Sequence, residues 1–299
     1  MQRESPWGPL EIADAHLHFF SRAFFSALIA QKPELTVESA AAKLGAHPPP
    51  AETEKLAAAW KQELDRNGVN RAALIASIPG DEASVTAAAA AYPDRFFAYA
   101  MVNPKSWKAE KFERVRAACL FPAMHGYSIL DDCARPVWEW AEQNHRILLV
   151  HCGVLSVGVR GRLGLESRFD MRFSNPIDLH PIALRHPTVP VVVPHFGAGY
   201  FREALMLADL CPNVYFDTSS SNSWMRYQES QMDLRQVFRK TLDVVGPRRL
   251  LFGTDSSMLP PGWRRQIFEE QATALYEIGL SAPDARAIFG ENLLRIILR

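Results

Sequence analysis

The apolar positions of this chain fall into two alternating patterns. Short apolar or β-branched runs recur at Glu11–His16, Arg71–Ala76, Phe96–Met101, Ala118–Phe121, Arg146–His151, Val189–His195, Val214–Asp217 and Arg249–Thr254. Several, such as Ile147-Leu148-Leu149-Val150, lack the in-and-out alternation of a half-exposed strand and read as strands buried on both faces, as in a parallel sheet. Between them, apolar residues three and four apart predict helices over Glu54–Arg66, Glu82–Ala91, Ala109–Ala117, Pro136–Asn144, Ile177–Arg185, Arg202–Leu210, Leu234–Val245 and Arg264–Ile278. Ser281-Ala282-Pro283-Asp284 reads as the capped start of a last helix running from Asp284 to about Leu298. A strand–helix alternation repeated eight times predicts an α/β chain folded as a closed (β/α)8 TIM barrel, one domain over residues 1–299. The rival is an open doubly wound sheet, and it loses ground because no glycine-rich phosphate turn follows the first strand.

Two connections are longer than a plain barrel needs. One runs from about Phe19 to Thr53 and contains Pro48-Pro49-Pro50; the other, Gly153 to Asn175, is rich in glycine and arginine. These long loops follow strands 1 and 5, so both are expected over the C-terminal mouth of the barrel, where barrel proteins bind their ligands.

Composition adds mainly exclusions. The chain is 48% hydrophobic, enough for a large core, and Lys+Arg equals Asp+Glu at 33 each. That balance gives no electrostatic reason to expect nucleic acid or an anionic membrane as partner. No window approaches 18 apolar residues, so no transmembrane helix is expected. The N-terminus lacks the apolar stretch of a signal peptide, and the four cysteines have no CxxC spacing. Together these point to a cytoplasmic protein with reduced thiols, acting on a small molecule; a homodimer is left open.

The chemistry gathers at strand ends. His16 and His18 close the first strand, and residues i and i+2 on a strand point to one face. His151 ends the fifth strand, His195 the sixth and Asp255 the eighth. Each taken alone reads as a hydrogen-bonded structural residue; five such side chains at the ends of four strands are the arrangement from which barrel enzymes build sites. His47, His125, His145, His180 and His186 fall in expected loops or helices and read as structural.

Asp14-Ala15-His16-Leu17-His18, His151-Cys152-Gly153, His195-Phe196-Gly197-Ala198-Gly199 and Leu251-Phe252-Gly253-Thr254-Asp255-Ser256 resemble signatures of the amidohydrolase superfamily. The closer resemblance is to its amidohydrolase-2 branch, the relatives of aminocarboxymuconate-semialdehyde decarboxylase. It extends to Tyr92-Pro93-Asp94-Arg95-Phe96, Val102-Asn103-Pro104 and Phe289-Gly290-Glu291-Asn292, in family order along nearly the whole chain. The resemblance implies one divalent metal ion, zinc by preference, held by His16, His18, His151 and Asp255, with His195 beside it as acid/base and Asp255 as a second catalytic group. Three imidazoles and a carboxylate suit zinc and similar ions. One departure stands out: where many relatives carry Gly-x-Lys-x-His-Pro on the fourth strand, this chain has Ala118-Cys119-Leu120-Phe121-Pro122. Without that lysine a binuclear centre is not expected, and Cys119 reads as a buried thiol.

Substrate contacts are expected from the loop arginines Arg160, Arg162, Arg168 and Arg172, of which Arg160 and Arg172 are the first choices, and from Trp224. Guanidinium groups at the mouth would suit a carboxylate. Asp14 shares a face with His16 and His18 and is expected to orient a ligand histidine. The reading favoured is a metal-dependent hydrolase in which metal-activated water attacks a C–O or C–N bond of a lactone, ester or amide. The alternative is a nonoxidative decarboxylase of an aromatic or muconate-type acid, and the third class is a noncatalytic binding barrel. Metal content separates the enzymes from the scaffold; proton release against carbon dioxide release separates hydrolase from lyase.

Overall fold

The computed structural model describes residues 2–167, 169–219 and 222–298. Eight parallel strands pair in chain order: β1 (Ile12–Phe19), β2 (Val69–Ala76), β3 (Phe96–Val102), β4 (Ala117–Leu120), β5 (Ile147–Val150), β6 (Val191–Pro194), β7 (Val214–Asp217) and β8 (Leu250–Leu251). The last gap closes just beyond β8. Ala15 N donates to Phe252 O at 2.8 Å, Asp255 N to His16 O at 2.9 Å, and His18 N to Ser256 O at 2.7 Å. The alternation thus becomes the barrel it predicts.

The barrel interior is filled by side chains from alanine to tyrosine in size, among them Ala13, Ala73, Ile75, Tyr99, Ala117, Cys119, Leu149 and Val192. A larger apolar layer packs the outer sheet face under the helices. Three expected helices change form, one of them Ile177–Arg185, which opens as a 3-10 turn, Pro176–Leu179, before a short α-helix, His180–Arg185. Only a 3-10 turn, Ala109–Phe112, occupies the stretch expected to be helical to Ala117, because β4 already begins at Ala117. The final helix is broken by a π-turn at Ala287–Glu291, where Ile288 O accepts from Phe252 N at 3.0 Å.

The two long connections are partly helical. The first carries α1 (Arg22–Ile29) and α2 (Val37–Lys43), capped by Ser21 and by a Thr36/Ser39 capping box, before α3 (Thr53–Arg66). The second carries a short helix, Gly158–Arg162. Phe24, Phe25, Leu28, Val37 and Leu44 from the first bury themselves with Val159 and Leu163 from the second and Met258 after β8. The two insertions therefore share a small core of their own, a cap beside the mouth. No helix among the described residues is long and apolar enough to cross a membrane, and all four cysteines are unpaired.

Candidate metal centre and its cavity

His16 and His18 converge as the strand period requires, with their Nε2 atoms 3.3 Å apart. What fixes each ring is its other nitrogen. His16 Nδ1 donates to Asp217 Oδ2 at 2.5 Å, and His18 Nδ1 lies 2.6 Å from Ser77 Oγ. The Ser77 hydroxyl donates to Ile75 O, so its oxygen is the acceptor for His18. In its neutral form each imidazole thereby turns an Nε2 lone pair toward the other. Asp255 Oδ1 joins them, 3.2 Å from His18 Nε2 and 3.7 Å from His16 Nε2. Three acceptors facing one another need positive charge between them. Their spacing brackets the edge of about 3.3 Å expected for a tetrahedron with bonds near 2.0–2.1 Å. These donors all lie within 4.8 Å of one another, and the set fits a divalent cation.

The other two strand-end histidines flank this group. His151 is buried, and its Nδ1 has no hydrogen-bond partner among the described residues, an orphan a cation would satisfy. It stands outside the three-residue cluster, stacked on Phe121 with centroids 5.4 Å apart and 5.5 Å from the His195 ring. His195 donates from Nδ1 to Ser219 O at 2.9 Å, which leaves Nε2 as its acceptor. Its ring lies 5.2 Å from that of His16.

The charges are arranged for a cation. Burial works against a proton on His16, yet Asp217, with Asp255 and Asp14, outweighs it and raises His16 to about 9. Burial also opposes ionisation of Asp255, but His18, His16 and His195 hold it well below the usual carboxylate range. Burial, and then the neighbouring rings, lower His151 and His195, keeping them neutral. The same carboxylates that favour a proton on His16 favour a cation in its place, which binds the ionised carboxylate and the neutral imidazole.

The backbone is built to hold these side chains. His195, Phe196 and Asp255 sit at φ of 55°, 53° and 57°, left-handed values that cost non-glycine residues roughly 1–3 kcal/mol each. Glycines make room around them. A Cβ on Gly253 would lie 2.6 Å from Asp217 Oδ1 and 3.0 Å from His16 Cβ; one on Gly153, at φ 77°, would lie 2.2 Å from Gly197 O.

Several placements differ from the sequence expectation. Asp14 touches no imidazole. It accepts from His16 N, Thr254 N, Thr254 Oγ1 and Trp263 Nε1, clamping β1 to the turn after β8, and burial raises it to about 6. Asp217 takes the orienting role expected of Asp14. It ends β7, so the strand-end rule that found the histidines would have found it too. Ser77, just past β2, was missed because serine carries no metal-ligand signal.

The cluster opens into a cavity of about 670 Å³ lined by all four histidines and Asp255. Trp224 lines it, packed against Phe196 and Phe201, with a buried indole N–H that has no partner among the described residues. Arg160 and Arg172 do not line it. Arg160 donates to Glu166 O and Gln31 Oε1, and the exposed Arg172 is spent on Asp170. Arg162, Arg226 and Arg264 line it instead, and Arg264 Nη1 stands 3.9 Å from Asp255 Oδ2. Arg168 lies outside the described residues. Cys119 is buried in the barrel interior, its thiol pushed far up by burial.

An amidohydrolase family model matches residues 13–296. A curated relative, the fluG protein of Emericella nidulans, is 32% identical over 87 residues, which is 29% of this chain and 10% of that protein. The chain thus spans about a tenth of that relative's length. Among solved structures, 5-carboxyvanillate decarboxylase from Sphingomonas paucimobilis superposes with a TM-score of 0.64 at 15% identity, covering 97% of this chain and 99% of that one. A probable 2-pyrone-4,6-dicarboxylic acid hydrolase from Acinetobacter baumannii, with citric acid bound, gives 0.61 at 14% identity, covering 97% and 100%. An uncharacterized TIM-barrel protein from Bordetella bronchiseptica gives 0.65 at 19% identity, covering 97% and 99%. These likenesses show the barrel fold, and the family match over nearly the whole chain, on the residues that build the histidine–aspartate cluster, shows that this protein belongs to the amidohydrolase-2 family.

Proposed function

We propose that this chain is a metal-dependent hydrolase that cleaves a C–O or C–N bond, in a lactone, ester or amide, of a carboxylate-bearing small molecule, with residues 1–299 acting as one unit. The observation that carries the reading is the set of facing acceptors on His16, His18 and Asp255 beside the orphaned His151 Nδ1. These four residues would hold the divalent cation, zinc by preference. When bound, that ion supplies a Lewis acid for the substrate carbonyl and makes water nucleophilic at neutral pH.

The protein's own groups do the rest. His195 Nε2, left bare by the Nδ1 bond to Ser219 O, accepts the proton of the attacking water and returns it to the leaving oxygen or nitrogen. Asp255 is the second proton acceptor, its other oxygen facing Arg264. Asp217 holds the His16 ring and supports its basicity. Arg162, Arg226 and Arg264 are the cationic groups of a cavity whose one acidic lining residue among those described is Asp255, so an anionic substrate fits. Trp224 adds an aromatic wall for the substrate body.

A second reading, nonoxidative decarboxylation, is favoured by one feature: Met101, Phe121 and Leu155 make part of the cavity apolar. An apolar wall disfavours a carboxylate relative to neutral carbon dioxide. A panel of lactones, esters and aromatic acids, followed by proton release and by carbon dioxide release, decides between them. Carbon dioxide without net hydrolysis would overturn the hydrolase. Less than about 0.2 equivalents of transition metal in protein purified without chelator would overturn both. His195→Asn should lower turnover by about 10²–10⁴ and leave metal content near that of the unaltered protein; loss of the metal instead would make His195 a ligand.

A further inference from the structure

A second cavity, of about 260 Å³, lies beside the first. Phe20, Ser257 and Met258 line both. Phe20 stacks on Phe24 with centroids 4.0 Å apart and on His18 at 5.6 Å, so it leads from a ligand imidazole directly to the second space. The far wall is made by Phe25 of α1, Leu56, Ala59 and Trp60 of α3, and the Pro48-Pro49-Pro50 run. That run is anchored where His47 N donates to Leu259 O at 2.9 Å. Prolines have fixed φ, so this wall is stiff. Among the described residues no acidic residue, lysine or arginine lines the space; His47 and Ser257 are its polar side chains. A hydrocarbon group suits it and a second charged group does not. The metal-side cavity alone, about 670 Å³, falls in the range of roughly 300–1,000 Å³ that holds drug-sized ligands.

We propose that this second cavity is an apolar subsite for an alkyl or aryl arm of the molecule whose carboxylate and reacting bond occupy the metal-side cavity. Only the placement of the head end rests on the hydrolase reading; the arm rests on the shared wall and on the lining. The ligand class is then a carboxylate with an extended hydrocarbon arm. Phe20 and Met258 are the gate, and Ala59, small and half-buried on the far wall, leaves the room the arm fills.

The test is calorimetric titration of the purified, metal-loaded protein with straight-chain alkanoates from butanoate to dodecanoate, below their micelle concentrations. Affinity should rise about three- to fourfold per methylene through the long members. Ala59→Phe should lower dodecanoate affinity at least tenfold and leave butanoate within twofold. An affinity that stops rising at the short members, or an Ala59→Phe curve that follows the wild type, would overturn the subsite. If Ala59→Phe fails to fold, Ala59→Leu should show the same truncation in smaller measure. A crystal structure with dodecanoate provides the second check: a tail among Leu56, Ala59 and Trp60 supports the proposal and a tail elsewhere overturns it. Chelator treatment separates the two readings. If the metal holds the carboxylate, its removal weakens every alkanoate by a common factor and leaves the increment per methylene intact. A protein that binds no metal sinks the hydrolase but keeps that increment.

Discussion

The floor of the cavity and its cap are held together by different forces. At the floor, His16, His18, His195 and Asp255 are each fixed by a hydrogen bond, a strained backbone or both, and the partners come from β7, from the segment just past it and from the segment past β2. In the cap, α1, α2 and the helix Gly158–Arg162 meet mainly by apolar contact, through a core separate from that of the barrel, with hydrogen bonds from Arg162 to Leu44 O and from Lys32 to Leu163 O at its edge. Hydrogen-bond geometry fixes the direction in which a donor atom points. Apolar packing fixes volume and tolerates shape changes that conserve it. The reacting groups are thus held by the directional force, and the wall that meets the substrate body by the adaptable one.

Substitutions on the two sides should therefore fail differently. Gly153→Ala should be the most damaging, at about 3–5 kcal/mol, because a Cβ at φ 77° would meet the carbonyls of Gly197 and Ala198. Denaturant unfolding reads it; a loss under 1 kcal/mol would show that the turn carrying His195 is as forgiving as the cap. Leu28→Ala, in the cap core, should cost about 2–3 kcal/mol, read by hydrogen exchange in residues 22–43, while metal affinity moves less than twofold. A metal site that weakens with it would join the two regions into one unit. Asp217→Asn should leave the fold intact and weaken metal binding about 10–100-fold, measured by competition with a chelator. An unchanged affinity would make the His16–Asp217 bond purely structural.

The smallest effect concerns His125, at the end of the short helix Pro122–His125 after β4. Burial, aided by Lys105, lowers His125 to about 4. A histidine depressed when folded binds its proton first in the unfolded chain. Its stabilising effect is therefore complete above pH about 6.5 and declines as the pH falls toward 4. The loss should be on the order of 1 kcal/mol for this partly exposed group. His125→Gln should flatten that part of the stability profile, and a profile unchanged by the substitution would remove His125 as its source.

Much of this architecture was legible in the residues. Apolar runs and helical spacings are local, so the order of strands and helices and the barrel could be read along the chain. The strand period brought His16 to His18, and the strand-end rule marked His151, His195 and Asp255. Charge type alone misled for the arginines: Arg160 and Arg172 sit on the right loop, but their guanidiniums are spent on neighbours within six residues or on Gln31. Asp14 failed similarly. Its strand phase was right, but Thr254 and Trp263, distant in the chain, compete for its carboxylate.

The sequence by itself determined the kinds of side chain available and which ones each element carries to the mouth, because both follow from short-range periodicity. Only the closed barrel decided their partners. His16 and Asp217 are 201 residues apart and meet because β8 and the turn after it seal the ring. Contact across such separations depends on register and closure, which no local pattern encodes.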